Sequence, residues 1–109
     1  MASYEFGVMD PGPLPGVRYD AYEPEKYRCI PVRDDLIDPL LEAFSAFDTC
    51  YHTLSVPGTG LSWAGITLIP PDSLPGFLSV LPDGAAYDGL RAVLREARAR
   101  NRFVICYGL

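Results

Sequence analysis

The sequence predicts an α+β fold, a two-layer sandwich in which about three helices cover one face of a mainly antiparallel sheet of about four strands. Three observations carry this. Apolar residues recur at helical spacing in two stretches, 35–47 and 86–100. Short β-branched and aromatic runs stand between and after them. Proline- and glycine-bearing breaks separate the runs. The chain has 109 residues, 49% hydrophobic and 21% charged, which is the size and balance of one globular domain rather than a disordered chain.

In chain order, residues 1–26 read as an extended Pro/Gly-rich segment packed on the domain or on a neighbouring chain. Asp10-Pro11-Gly12-Pro13-Leu14-Pro15-Gly16 can be neither a helix interior nor a central strand, because proline lacks a donor and glycine lacks restraint. Tyr4, Phe6 and Val8 alternate with Glu5 and Gly7, a weak strand signal. Tyr19, Tyr22 and Tyr27 can line a recognition surface, since tyrosine gives large contact area with little entropy lost, but such residues more often pin an irregular segment onto the sheet. Residues 27–109 read as a single α+β domain.

Tyr27–Val32 is a strand candidate, and Pro31 makes it an edge strand or a strand end. Leu36, Ile37, Leu40, Leu41, Phe44 and Phe47 fall on one face of a helix over 35–47. Asp34, Asp35 and Asp38 gather at its start, where the helix dipole favours negative charge. Asp38-Pro39 leaves that boundary open, since the pair also suits a cap followed by a first-turn proline. Thr49–Val56 and Leu61–Ile69 read as an antiparallel hairpin across a Pro57–Gly60 turn. Leu74, Phe77, Leu78 and Leu81 form the stripe of a short helix after Ser73. The last helix, ending near Arg100, buries Leu90, Val93, Leu94 and Ala97, and Asn101 is its expected stop. Arg102–Tyr107 is apolar on both faces, as near a sheet centre.

Net charge is −5. Residues 1–88 hold 13 acidic and 4 basic side chains, whereas 89–109 hold Glu96 and five arginines. The acidic majority argues against nucleic acid as a partner, because phosphates demand cations. It suits a soluble protein or one that meets a basic partner. No apolar run is long enough to span a membrane. The N-terminus lacks the basic-then-apolar pattern of a secretory signal. Cys29, Cys50 and Cys106 are odd in number and widely spaced, so free thiols in a cytoplasmic protein are expected.

Two constellations have chemical character. Strand alternation would place Asp48, Cys50 and His52 on one face, where a thiol beside an imidazole can act as a nucleophile. The same face would carry Leu54 and Val56, which points to packing instead. There is no Cys-x-x-Cys pair and no second histidine, so no metal or cofactor is expected. Arg91, Arg95, Arg98 and Arg102 form a basic stripe that can hold an anion, meet an acidic partner or close a homodimer. It can also be a solvated face or pair with acidic groups of its own chain. The reading that follows is a non-enzymatic protein-binding or regulatory module of the inhibitor or immunity type. The alternative is a small enzyme or ligand-binding protein using Cys50 and His52 with an arginine anchor.

Overall fold

The computed structural model describes residues 2–108. They form a six-stranded, wholly antiparallel sheet with helices on one face. The strands are β1 (Ser3–Val8), β2 (Ile30–Arg33), β3 (Asp48–Tyr51), β4 (Pro57–Thr59), β5 (Ile66–Ile69) and β6 (Val104–Tyr107), in the spatial order β2-β1-β6-β5-β3-β4. The α+β class agrees with the sequence. The count of about four strands is corrected to six.

The two added strands have separate causes. β1 is an inner strand, pairing Phe6 with Ile30 of β2 on one side and with Cys106 of β6 on the other. Tyr4 and Phe6, the even-numbered members of its alternation, are fully buried. β4 lies where a turn was expected. The strand from Thr49 ends at Tyr51 because His52 turns left-handed at φ 63°, and the chain reverses over residues 52–56. Pro57–Thr59 then pairs back onto β3, with Thr49 opposite Gly58. The expected partners do pair, Cys50 with Leu68 and Tyr51 with Thr67, but across β4 and an irregular 60–65 loop instead of a four-residue turn.

The helical layer comprises α1 (Asp34–Ile37), α2 (Leu41–Phe44), α3 (Leu74–Val80) and α4 (Asp88–Ala99). The single helix expected over 35–47 is interrupted at Asp38–Leu40, which winds as a tighter 3₁₀ turn. Pro39 causes this, since it cannot donate to the carbonyl four residues back. Ile37 and Phe44 still reach the core, and Phe44 stacks on Phe77 at 4.6 Å between ring centroids. α4 ends as the sequence suggests. Asn101 is left-handed at φ 53°, and Arg102 donates its N–H to Ala97 at 2.8 Å, which closes the last carbonyls in a Schellman arrangement.

The sheet is buried on both faces. Tyr4, Phe6, Val104, Cys106 and Ile69 pack against Leu74, Phe77, Leu90 and Leu94 of the helices. On the second face Met9, Ile66, Leu68, Ile105 and Tyr107 form a smaller core with Tyr27. Among the described residues no helix covers that face. Residues 10–29 cross it as a strap, and Gly7 lets them approach, because a Cβ there would lie 2.6 Å from Tyr27 O and 2.7 Å from Cys29 Sγ.

Both sheet edges are blunted by proline. The Asp34 N–H bonds to Ala2 O, so on β2 Pro31 and Arg33 face outward, and Pro31 has no donor to offer. On β4, Tyr51 N–H bonds to Val56 O and Gly60 N–H to Phe47 O, so Pro57 and Thr59 face outward. The Tyr51 ring lies across Gly58, and its hydroxyl takes both outward groups of Thr59, donating to the carbonyl and accepting from the N–H at 3.3 Å.

Candidate functional site

The most structured polar feature of the second face lies where the strap meets the end of β3. The left-handed turn at His52 takes its side chain out of the strand alternation that would have set it beside Cys50. The His52 backbone bonds on both sides, its N–H to Ile66 O at 3.0 Å and its carbonyl receiving Tyr19 N–H at 2.7 Å. Nδ1 lies 2.7 Å from Asp20 Oδ1, a close contact in which the Nδ1–H does not point squarely at the carboxylate. Nε2 accepts a long bond from Ile66 N–H at 3.4 Å. The ring therefore uses both nitrogens to bracket the strap against the sheet.

Asp20 is held from the other side by Arg18, whose Nε bonds Oδ2 at 2.8 Å. The guanidinium, ahead of any other cause, keeps the Asp20 carboxyl below the usual range. Tyr22 follows, its hydroxyl donating to Glu5 and its ring meeting Tyr107 edge-on at 5.1 Å. Between these groups lies a shallow cleft of about 220 Å³ lined by Asp20, Tyr22, His52, Ala64, Gly65, Ile66, Tyr107 and Gly108. Gly108 permits the tight closure of its far wall. A Cβ there would lie 2.7–2.9 Å from three carbonyl oxygens of Ser62, Trp63 and Gly65. The loop so held presents Trp63, which is 64% exposed, as is Tyr22.

Asp48, Cys50 and His52 do not assemble into a reacting set. Asp48 is exposed on β3, and its carbonyl accepts from Ser73 Oγ at 2.6 Å. Cys50 is half-buried against the second core and directs Sγ toward Leu54 O at 3.7 Å. Burial alone raises its pKa, so the thiol form is favoured where a nucleophile would need thiolate. Among the described residues, no group of three His, Cys, Asp or Glu side chains is placed to hold a metal ion.

The arginine stripe is divided. Arg91 bonds Asp88 at 3.1 Å and Pro82 O at 2.7 Å. At the other end Arg102 lies 3.4 Å from Asp10, which also pairs with Arg100. Within the stripe, Arg95 and Arg98 are exposed with no hydrogen bond or ion pair to the described residues. Pairing within the chain thus occupies both ends of the stripe.

Sequence reasoning did not single out Asp20, Trp63 or Tyr107 for this cleft. Asp20 and His52 are 32 positions apart, and nothing local links them. The available signal was the tyrosine pair around Asp20, which implied a pinned strap. No protein-family model, curated protein or solved structure matches the chain. Among the described residues no helix is long and apolar enough to cross a membrane.

Proposed function

We propose that the protein acts by binding another protein, as an inhibitor or immunity-type module, and that Trp63 and Tyr22 anchor its recognition surface. The observation that carries this reading is their common exposure of 64% around the cleft on the strap-covered face. A large aromatic ring left in water beside a shallow cleft is unfavourable unless a partner covers it, and tryptophan and tyrosine dominate the binding energy of many interfaces. The net charge of −5 favours a partner with a basic surface. The free thiols fit a cytoplasmic setting.

The competing reading, an enzyme or ligand-binding protein built on Cys50 and His52 with an arginine anchor, draws little support from the geometry. The imidazole is committed to the strap and to Ile66, and the thiol points to Leu54. Trp63→Ala should abolish the biological effect with the fold intact, and Cys50→Ala should leave it. Loss of the effect in Cys50→Ala, with Trp63→Ala silent and both proteins folded, would overturn the binding assignment.

A further inference from the structure

A second hollow opens on the other side of Asp20, between the strap and the sheet. Its volume is about 240 Å³, below the roughly 300–1,000 Å³ of sites for drug-sized ligands, so any occupant is small. Ile105 and Tyr107 of β6 form its floor with Tyr27, all three buried. Tyr19 supplies a further aromatic wall. The mouth carries four charged side chains from the strap. They are Arg18 and Asp20, 2.8 Å apart, and Lys26 and Glu23, 3.7 Å apart. All four are about half exposed, so water screens each pair and leaves it open to exchange partners.

The floor has one unused donor. The Tyr107 hydroxyl accepts Glu23 N–H at 3.3 Å and gives its own proton to no acceptor among the described residues. Tyr107 is 3% exposed, so this donor is turned away from bulk water beside the hollow that it lines. A buried donor of this kind favours an acceptor oxygen on whatever enters.

We propose that this hollow binds a free aromatic amino acid. The aromatic and aliphatic floor takes the ring. The Tyr107 hydroxyl and Lys26 meet the carboxylate, and Glu23 and Asp20 meet the ammonium. A ligand with one charge only would leave half the mouth facing a like charge, whereas a zwitterion is complementary to both halves. The hollow shares Asp20 and Tyr107 with the first cleft, but Trp63 is not among the residues that line it.

The test is calorimetric titration with L-phenylalanine, with 3-phenylpropionate, which lacks the ammonium, and with L-phenylalaninamide, which lacks the carboxylate. Phenylalanine should bind with a dissociation constant on the order of 1 mM and at least about fivefold more tightly than either analogue. Backbone amide shifts on titration should concentrate at Tyr19, Tyr27, Ile105 and Tyr107. Lys26→Gln, an exposed change, should weaken phenylalanine severalfold and leave the amide unaffected. Tyr107→Phe should weaken it about tenfold. Trp63→Ala should change nothing, which separates this site from the protein-binding surface. Absence of saturable binding, equal affinity for all three probes, or Lys26→Gln and Tyr107→Phe both binding like the wild type would overturn the proposal.

Discussion

His52 Nδ1 and Asp20 Oδ1 meet at 2.7 Å, and through this contact the end of β3 grips a strap that no regular secondary structure holds. The grip is doubled by the Tyr19 N–H bond to the His52 carbonyl. The strap is further tied by the Tyr22 hydroxyl on Glu5, by Glu23 N–H on the Tyr107 hydroxyl, by Asp10 on Arg100 and Arg102, and by Tyr27 in the second core.

Loosening that grip should free the strap before it unfolds the domain. His52→Ala and Asp20→Asn are expected to speed proteolytic cleavage within residues 10–29 severalfold, with little change in the global unfolding midpoint. His52→Gly separates side chain from backbone. It relieves a left-handed residue at a gain of about 1 kcal/mol, yet should open the strap as the alanine variant does. Cleavage rates unchanged in all three variants would show that the imidazole does not hold the strap.

The edge at β4 gives a second expectation. A Cβ at Gly58 would sit within 2.8 Å of Tyr51 ring atoms, so Gly58→Ala must displace the ring and release Thr59. The cost should be about 1–3 kcal/mol. The freed N–H and carbonyl should also permit strand pairing between molecules. Light scattering should show concentration-dependent self-association of Gly58→Ala beyond that of the wild type, and a smaller effect for Tyr51→Phe. A destabilised variant with unchanged association behaviour would mean that the ring packs the strand without guarding it.

The parts of this architecture that the sequence made legible are those governed by local spacing. α4 follows from Leu90, Leu94 and Ala97, its end from Asn101, and the edge position of β2 from Pro31. What escaped depends on long-range pairing. Pro57-Gly58-Thr59 reads as a turn by composition, and becomes a strand only because β3 offers an open edge and Tyr51 needs the space over Gly58. The Cys50–His52 alternation failed for one backbone angle, since a left-handed residue ends the period-two rule at once. The cleft itself joins four distant stretches of chain, and no local pattern encodes such a meeting.

The thiols offer a chemical reading of the same packing. All three cysteines are free, and Cys106 is fully buried in the main core. Burial, with Glu5 nearby as the lesser cause, pushes the Cys29 thiol up to about 12, so its thiolate is scarce at pH 8. Alkylation of the native protein at that pH should therefore be at least roughly a hundredfold slower at Cys29 and Cys106 than in the denatured chain. Mass spectrometry should find three reactive thiols after denaturation without reductant. Fewer than three, or rapid native labelling of Cys106, would contradict the structure.

The pH dependence of stability follows from the same groups together with the buried tyrosines. Burial is the first cause for each. It raises Cys29 from 9.0 to about 12 and Tyr107 from 10.0 to about 12, and it moves Cys106 and Tyr4 upward as well, Tyr4 aided by its bond to Asp38. These groups are neutral when protonated, so the folded state keeps their protons to higher pH than the unfolded chain does. Between about pH 9 and pH 12 the unfolded state binds fewer protons, and stability must fall as pH rises. Below about pH 9 both states are protonated and these groups contribute no slope. Denaturant midpoints measured from pH 7.5 to 11.5 should thus be flat at first in this respect and then decline. Cys29→Ala should reduce the early part of the decline, where the unfolded thiol ionises, and leave the later tyrosine part. A midpoint that holds constant to pH 11 would mean that these side chains ionise in the folded protein as freely as in the unfolded chain, which their burial against β1 and β6 forbids.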